Sequence, residues 1–557
     1  MSRAAIVVII VLVMVFAPII YFTAYLAALA WAVATWVNSM AYIDAVLAAI
    51  TVFVPIALGV CAYVKWRRGR VEGAIAFARS WSGFGSGLIE ASTLSGSRRG
   101  SARTLVLLAI VLFIVFTAIG LAIHGTVVIP SSGALLAKHV TRIDHPINVV
   151  MARIVPLKTA YAYAISELQV PTHTIYMDES YIYYNGTVPI YNWIVEPEGL
   201  FNEWTRDAIG AVFVYGEYPP RVVFVQHDLV WSLHRARLGL VYWNLYYALK
   251  LAKPMYKPLF EDNIEVLIGG RIYILIPAET WVKTLTTSIP ILAGYFVVDE
   301  EGHIRFVPAE KLMSDPITRR AFTEYSIPIV PEVIAREWIE LMRWAPGWMS
   351  VVFYHQTYEI RDVGTNPQPY LVFDERHRLW WLFAVEPAGK SYAIRYLMYV
   401  NTSSIEPRIV LYKPRRTWMG ASKIFEYVMK AHPTFDWSQF SIEEPIPLVI
   451  NGTLFWKVTI VTKDGRGIVC IDLVNAETGD VYSMPVKNRV TVADFYSFID
   501  REILHRYVAP TALNVSGGSI VERIEQLKKR IEEMQKILQE MYRELEQLEE
   551  ALNRSRR

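Results

Sequence analysis

The feature that most constrains this chain is a group of three long apolar runs near its N-terminus. The runs cover residues 4–37, 42–64 and 104–129, and the first holds no charged residue. Each provides the ~20 apolar residues that a helix needs to cross a hydrocarbon core of ~30 Å. The sequence therefore predicts an integral membrane protein, with one transmembrane helix within residues 1–37 and two more at 42–64 and 104–129.

The first run admits more than one interpretation because it is longer than a single crossing requires. Pro18 near its middle would kink the helix or mark a break, and a tight helical hairpin would need turn residues that the run lacks. Arg3, the apolar stretch and Ala28-Leu29-Ala30 also match parts of a signal peptide. Signal peptides use an apolar region of only ~7 to 15 residues, so we expect this segment to remain as an anchor.

The distribution of charge predicts the orientation in the membrane. The loop at 65–103 is strongly basic and holds only Glu72 and Glu90 as acidic residues, whereas the connection at 38–41 has no Lys or Arg. The basic residues of the loop are Lys65, Arg67, Arg68, Arg70, Arg79, Arg98, Arg99 and Arg103. Because cytoplasmic loops carry the excess of Lys and Arg, we expect this loop inside the cell.

Three crossings then put the N-terminus in the cytoplasm and everything after residue 129 outside the cell. The predicted location is the plasma membrane, as a multi-pass protein. Membrane lipids are expected partners, since each basic residue near an anionic surface is worth roughly 1 kcal/mol. A role as a topology signal alone is the simpler interpretation of the basic loop.

Net charge and cysteine content give no support to a nucleic-acid-binding protein or to a disulfide-stabilised domain. A net charge of +3 over 557 residues gives no indication of a nucleic-acid partner. The two cysteines are Cys61, inside the second apolar run, and Cys470, far along the outer region. We expect no disulfide between them, so the outer region must be stabilised by its core, which about 380 residues can supply.

The predicted outer region also contains acceptor sequences for N-linked glycosylation. All five follow the last apolar run, which fits a glycosylated surface protein of a eukaryote or an archaeon. The candidate acceptors are Asn185, Asn401, Asn451, Asn514 and Asn553.

Residues 138–510 are predicted to form an α+β domain of repeated units. The copy at 447–484 contains Asn451-Gly452 between two β-rich runs, which is a strong hairpin signal. Each unit is interpreted as about four antiparallel strands with a helix packed on one face. Earlier copies are proposed at 370–411, 265–307 and 181–225, with helices at 227–252, 331–344, 422–432 and 492–507.

The last copy resembles the PepSY class of small α+β modules, whose final hairpin carries an aspartate followed by a Thr-Gly turn. The residues that match are Phe455-Trp456-Lys457-Val458, Val469-Cys470-Ile471-Asp472 and Thr478-Gly479-Asp480-Val481. The likeness covers roughly forty residues well. It implies an extracytoplasmic binding or inhibitory module on a membrane anchor, without catalytic residues of its own.

The C-terminal segment at 520–555 shows the strongest periodicity in the chain and follows a linker at 511–519 that contains Ser516-Gly517-Gly518-Ser519. Apolar residues recur in alternating steps of four and three for more than four heptads, which predicts a coiled coil. The core positions are Ile520, Ile524, Leu527, Ile531, Met534, Leu538, Met541, Leu545, Leu548 and Leu552.

Charges beside this seam favour one kind of partner. A parallel pair would oppose Arg523 to Lys528, and Glu544 to Glu549, whereas an antiparallel pair brings Arg530 toward Glu544. Such pairs are worth only ~0.5 kcal/mol each, but they favour an antiparallel pair or a different protein partner over a parallel homodimer. A single solvated helix is the alternative, although a long apolar seam in water argues against it.

The sequence predicts no catalytic residues, no cofactor and no metal site. It contains no Cys-x-x-Cys, His-Glu-x-x-His, phosphate-binding loop or Gly-x-Ser-x-Gly elbow. His227 and His234 would share a helix face but lie too far apart for one ion, so they are interpreted as core or interface residues.

Acidic groups beside turns are expected to be solvated, and Trp380-Trp381 is expected in the core. These acidic groups are Asp299-Glu300-Glu301, Asp374-Glu375 and Glu443-Glu444.

These observations predict a membrane-anchored surface scaffold or binding protein that associates through its coiled coil. The alternative is an accessory or regulatory subunit of a membrane channel, secretion or protease complex. A hydrolase of surface polymers is a third candidate. A transporter is disfavoured because no apolar run has an ionisable residue in its middle, Asp44 and His124 lying near the ends of their runs.

Overall fold

The computed structural model describes most of residues 39–57 and, apart from short gaps, residues 100–504. The gaps after residue 100 are 151–152, 200–201, 203–204, 234–244, 354–356, 364–366 and 390. The first apolar run, the basic loop up to residue 99, the linker and the coiled coil lie outside the described residues. Those assignments stay predictions.

A long apolar helix leads into the α+β domain. It consists of α1 (Gly100–Ile123), a π-helical turn (His124–Val128) and α2 (Ile129–Ala137). The segment Leu107–Ala137 is long and apolar enough to cross a membrane, by length and composition. Its 31 residues span ~46 Å, which exceeds the ~30 Å hydrocarbon core. The number of crossings and their direction stay predictions.

The surroundings of this helix change along its length. Leu121 is 69% exposed, whereas Leu136 is 0% exposed because α2 is buried against the rest of the protein. The apolar run at 104–129 therefore covers only the first part of a helix that continues to Ala137. Its apolar character ends earlier because small residues such as Ser132 and Gly133 contact protein there.

The α+β region contains four groups of four antiparallel strands, here named meanders A to D. Some are separate sheets and others are parts of a larger sheet. Meander A contains β4 (Tyr181–Asn185), β5 (Val188–Ile194), β7 (Gly210–Tyr215) and β8 (Arg221–Gln226). Meander B contains β10 (Ile264–Ile268), β11 (Arg271–Lys283), β12 (Ser288–Val298) and β13 (Ile304–Pro308). Meander C contains β14 (Tyr370–Asp374), β15 (Leu379–Val385), β16 (Tyr396–Asn401) and β17 (Ile409–Tyr412). Meander D contains β18 (Phe440–Ile450), β19 (Thr453–Thr462), β20 (Ile468–Asn475) and β21 (Val481–Pro485).

Short strands join or extend these meanders. They are β1 (Val140–Ile143), β2 (Val149–Val150), β3 (His173–Thr174), β6 (Glu196–Pro197) and β9 (Lys257–Pro258). Strand β2 lies between β14 and β18, so meanders C and D form one ten-stranded sheet that also includes β1. Strand β9 pairs with β11 of meander B, while β3 and β6 pair with each other.

A helix precedes each meander along the chain. The helices are α3 (Leu157–Glu167), α4 (Leu245–Ala252), α5 (Pro316–Glu324), α6 (Glu332–Met342), α7 (Trp348–Val352), α8 (Ala421–Ala431) and α9 (Val492–Ile499). Helix α3 packs on β7 and β8, and α8 packs on β18, β20 and β21. The α+β class is confirmed, and the origin of the four meanders from one repeated unit stays a prediction.

Residues from Tyr496 onward belong to a second compact unit. Within it the structure describes the last turn of α9 and a π-helical segment, Asp500–Leu504. The predicted helix at 492–507 is thus helical over its described part.

The predicted helix at 227–252 is wrong over its first residues. Residues 227–233 are not helical, and the described part of this segment that is helical is α4 (Leu245–Ala252). The backbone N–H of His227 donates to Ile209 O at 2.9 Å, and that of Leu229 donates to Ala208 O at 3.1 Å. This segment therefore prolongs the strand pairing of β7 and β8. His227 lies 3.2 Å from the Glu300 carboxylate, and His234 lies outside the described residues.

The hairpin at Asn451-Gly452 has the conformation that its sequence favours. Asn451 has φ +49° and Gly452 has φ +76°, and the strands on either side pair up to Ile450 and Thr453. Two consecutive residues with positive φ define a type I′ turn, which matches the twist of the adjoining strands.

Gly133 allows α2 to lie directly against α6, and this contact gives a testable prediction. A Cβ at position 133 would lie 2.3 Å from Leu341 O, so Gly133→Ala forces two helix backbones apart. We expect the free energy of unfolding to fall by about 1–3 kcal/mol. The measurement is thermal unfolding of the purified protein in mild detergent.

Gly120→Ala is the matched control, because a Cβ at Gly120 of α1 would meet no atom within 4 Å. It should leave the melting temperature unchanged or raise it slightly, since Ala favours helix. Equal melting temperatures for the two variants would show that the contact between α2 and α6 is not tight.

Candidate functional site

A buried ion pair between Arg153 and Glu444 lies where meander D meets the segment after β2. Arg153 Nη2 is 2.6 Å from Glu444 Oε1, and the two side chains are 4% and 0% exposed. The pairing of β18 with β19 shifts register between Glu443 and Ile446, and Glu444 has φ +50°. This β-bulge directs Glu444 inward, because a bulge re-aims a side chain that regular alternation would point elsewhere.

The pair also connects meander A and α3. Arg153 Nε donates to the Tyr191 hydroxyl at 3.1 Å, and that hydroxyl donates to Val155 O. The first backbone N–H of α3, at Leu157, donates to Glu444 Oε1 at 2.7 Å. One carboxylate therefore holds a guanidinium and a helix N-terminus, both of which favour negative charge.

Lys457 of β19 adds a second buried cation beside this pair. Its side chain is fully buried, and within the part of the chain that the structure describes its Nζ has no hydrogen-bond partner. Burial lowers the pKa of Lys457 to about 7, although the charge of Glu444 acts in the opposite direction.

A cavity of about 570 Å³ opens next to Arg153. Its walls include β4, the start of α6 and the segment before β14, together with the aromatic rings of Tyr181, Tyr184 and Trp381. The ionisable groups that line it are Arg153, Asp178, Glu261, Asp262, Glu332, Arg336 and Asp362.

The two guanidinium groups of the cavity are each matched by a carboxylate. Arg336 binds Asp362 through two contacts, at 2.6 and 3.2 Å, and donates to Gln368 O at 2.6 Å. Arg153 is matched by Glu444 outside the lining. The four other carboxyl groups are thus left without a matching guanidinium among the lining residues that the structure describes. The lining of the cavity therefore holds more carboxyl groups than guanidinium groups.

Asp262 and Glu332 are the carboxyl groups most affected by this environment. Burial raises the pKa of Asp262 to about 7, and Glu261 adds to this effect, while the N–H of Val333 donates to Asp262 Oδ2 at 2.9 Å and opposes it. Burial also raises the pKa of Glu332, and the nearby Asp262 raises it further. A cation that entered the cavity would favour the charged form of both groups.

Several acidic residues that the sequence predicts to be solvated are buried instead. Glu444 is in the ion pair, Glu300 accepts a hydrogen bond from Ile272 N at 2.7 Å, and Asp374 accepts from Arg376 N and Arg378 N at 2.9 Å. The prediction is wrong for these residues because their carboxylates bind backbone N–H groups of a helix N-terminus, a strand and a turn. Trp380 and Trp381 are buried, as predicted.

The candidate glycosylation sites are distributed over turns. Asn185 and Asn451 are exposed in hairpin turns, and Asn401 at the end of β16 is half-buried, with its Oδ1 accepting from Ser403 N at 2.8 Å. Asn514 and Asn553 lie outside the described residues. Modification of these sites stays a prediction.

The cavity residues were missed by sequence reasoning because they are far apart in the chain. Arg153, Asp262 and Glu332 come from three separate segments, and no short motif contains them. The sequence contained one signal for the neighbouring ion pair. Lys457 interrupts a strand of otherwise apolar and β-branched residues, which indicates a charged side chain inside the protein.

Comparison with protein-family models, with curated proteins and with solved structures finds no match to this chain. The resemblance to PepSY modules thus depends on its own few residues.

Replacement of Lys457 by methionine should stabilise the protein in a pH-dependent way. The pKa of Lys457 is about 7 in the folded protein against 10.5 for an ordinary lysine, so folding requires the loss of a proton between pH 7 and 10.5 and a buried charge below pH 7. Lys457→Met should raise the free energy of unfolding by a few kcal/mol at pH 7. The gain should shrink as the pH rises toward 10.5, and denaturant unfolding at several pH values measures it.

Lys463→Met is the control, because Lys463 follows the same strand but is exposed. We expect no stabilisation from it at any pH. A destabilising effect of Lys457→Met at pH 7 would contradict the assignment of an unpaired, buried amine.

Proposed function

We propose that this chain is a membrane-anchored binding protein of the cell surface, and that its cavity takes an organic cation. The observation that carries the proposal is the excess of carboxyl groups in the cavity beside α6. Four carboxyl groups without a matching guanidinium favour a positively charged ligand, and the aromatic walls suit its apolar parts.

An amine with an alkyl chain meets these requirements best. Its ammonium group can donate to Asp262 and Glu332, while its methylene groups pack against Tyr181, Tyr184 and Trp381. Burial raises the pKa values of Asp262 and Glu332, because a charged carboxylate is destabilised there when no ligand is bound. A bound ammonium group would offset this free-energy cost.

The placement of the domain outside the cell rests on the basic loop, and contacts near the membrane helix support it. Asp44 at the start of the second apolar run lies 2.9 Å from His124 near the end of the third. The Ser288 hydroxyl of meander B donates to Ser39 O at 2.6 Å. Both contacts lie at the domain end of the helices. In the sequence, the loop at 65–103 lies between the end of the second run and the start of the third, away from the residues that make these contacts, which fits a cytoplasmic loop and an outer domain.

The proposal includes association of the protein through residues 520–555, which only their sequence supports. The heptad seam and its flanking charges favour an antiparallel pair or a different protein partner. Such an assembly would present several cavities from one membrane site.

The alternative function, a regulatory subunit of a membrane complex, is favoured by one observation. Helix α6 contributes Glu332 and Arg336 to the cavity near its start, and Leu341 near its end contacts Gly133 of the membrane helix. A ligand that moves α6 would thus act directly on the helix that enters the membrane.

Labelling of an introduced cysteine tests the orientation. In a Cys61→Ser background the remaining Cys470 is buried, Ser403→Cys places a thiol on the exposed surface of the domain, and Ser86→Cys places one in the basic loop. We expect a membrane-impermeant maleimide to label position 403 in intact cells and position 86 only after permeabilisation. The reverse pattern would overturn the outer location of the domain.

Calorimetric titration with 1,4-diaminobutane tests the cavity. We expect binding at pH 8 that weakens toward pH 5, because Asp262, whose pKa burial raises to about 7, becomes neutral there while the diamine keeps its charge. Asp262→Asn combined with Glu332→Gln should weaken binding at least about tenfold, since a charge-assisted hydrogen bond is worth ~1.5–3 kcal/mol.

Two controls accompany this titration. The uncharged analogue 1,4-butanediol should not bind, and Glu310→Gln, which changes an exposed carboxylate outside the cavity, should leave the affinity unchanged. Equal binding of the diol and the diamine would overturn the choice of a cation.

A further inference from the structure

Meander D carries a cluster of three metal-ligating side chains that is separate from the cavity. Cys470 and Asp472 lie two residues apart on β20, so both side chains project from the same face of the strand. His432 follows the last residue of α8, which packs on that face. Their ligand atoms, one from each residue, all lie within 4.8 Å of one another.

The distances approach those of a tetrahedral site. His432 Nε2 is 2.8 Å from Asp472 Oδ2 and 3.9 Å from Cys470 Sγ. With the usual Zn²⁺ bond lengths, two ligand atoms of a tetrahedral site are about 3.4 Å apart for nitrogen and oxygen, and about 3.6 Å apart for nitrogen and sulfur. Shifts of up to about an ångström, which side-chain rotations provide, would bring all three atoms onto one ion.

Burial and charge also favour a divalent cation. Asp472 is fully buried and Cys470 nearly so, and within the described part of the chain Asp472 Oδ1 has no hydrogen-bond partner. A thiolate, a carboxylate and a neutral imidazole carry two negative charges together, which one divalent ion neutralises. Without such an ion, one acceptor atom of a buried carboxylate is left unsatisfied, which is costly.

Solvent has access to the cluster from one side. Ser483 of β21, directly opposite Asp472 in the sheet, is exposed, and its hydroxyl is 3.4 Å from His432 Nε2. A fourth ligand position can therefore be filled by this hydroxyl or by water, and an ion can enter there.

The same geometry argues against a nucleophilic triad. In a triad the base uses one ring nitrogen for the nucleophile and the other for the carboxylate. Here Nε2 of His432 faces both Cys470 and Asp472. Three ligand atoms that converge on one point suit an ion better than a proton relay.

We propose that His432, Cys470 and Asp472 bind a Zn²⁺-type ion, with a fourth position open to solvent beside Ser483. Binding replaces the hydrogen bond between His432 and Asp472 with two metal bonds. The proton of that hydrogen bond moves to Nδ1 of His432 or to solvent, and the thiol proton is released to solvent. The site is independent of the cavity and of its proposed ligand.

Titration of the full-length, metal-free protein in detergent with Co²⁺ tests this site. Thiolate ligation gives a charge-transfer absorption band in the near ultraviolet, and tetrahedral Co²⁺ gives strong visible bands. We expect both at one ion per chain, with their loss when Zn²⁺ is added. The absence of a charge-transfer band in excess Co²⁺ overturns the proposal.

The two cysteines of the chain provide matched variants. Cys470→Ala should remove the charge-transfer band, and Cys61→Ser should keep it. His432→Gln should weaken Co²⁺ binding at least about tenfold, which is the usual minimum effect of disturbing a metal site. Thermal unfolding of each metal-free variant confirms that it is folded.

A band that survives Cys470→Ala and disappears with Cys61→Ser overturns the site. So does unchanged affinity in folded His432→Gln and Asp472→Asn variants. An exposed cluster, Asp299, Glu301 and His303, serves as a further control, since His303→Ala should leave the spectrum unchanged.

Discussion

The arrangement of the α+β region depends on the buried ion pair between Arg153 and Glu444. Arg153 follows β2, the strand that joins meanders C and D, and its guanidinium also binds Tyr191 of meander A. The charges are removed from water at a high cost, so the pair contributes little net stability. The loss of one partner would nevertheless leave a buried, uncompensated charge, at ~3–5 kcal/mol. The pair therefore acts mainly to fix the relative positions of three sheet segments.

Helix α6 connects the cavity with the long apolar helix. Its first turn meets the cavity, where Val333 N binds Asp262, and its last turn meets Gly133 of α2 without intervening side chains. Contact between backbones leaves no soft side chain that could absorb a displacement. A shift of α6 by a few tenths of an ångström would therefore reach the apolar helix, so the two proposed functions, binding and regulation, are compatible with each other.

Local patterns predicted much of the secondary structure and little of the candidate site. The four strand-rich copies coincide with meanders A to D, and the Asn451-Gly452 hairpin follows from the positive φ values that both residues tolerate. The bulge at Glu443 and Glu444 could not be predicted, because paired carboxylates beside a turn signal look like solvated charges. Its inward direction depends on Arg153, which is almost three hundred residues away. The helix predicted from His227 failed for a similar reason, since strand pairing overrides local preference there.

The cost of burying charge connects the cavity with the cluster in meander D. In the cavity, Asp262 and Glu332 have raised pKa values, and in meander D an oxygen of Asp472 has no partner among the residues described. A domain with several apolar sheet faces could be more stable with neutral residues at these positions. Burial alone does not mark a ligand site, since Glu265 and Glu279 are also buried and have raised pKa values. Under the two proposals, a bound cation would offset this cost in the cavity and at Asp472. An alkyl amine fits the roomy, aromatic cavity, whereas the compact His432, Cys470 and Asp472 set leaves space for a single ion. The same electrostatic argument thus applies to two sites with ligands of different size. The volume of each site and its ligating atoms determine which cation it is proposed to bind.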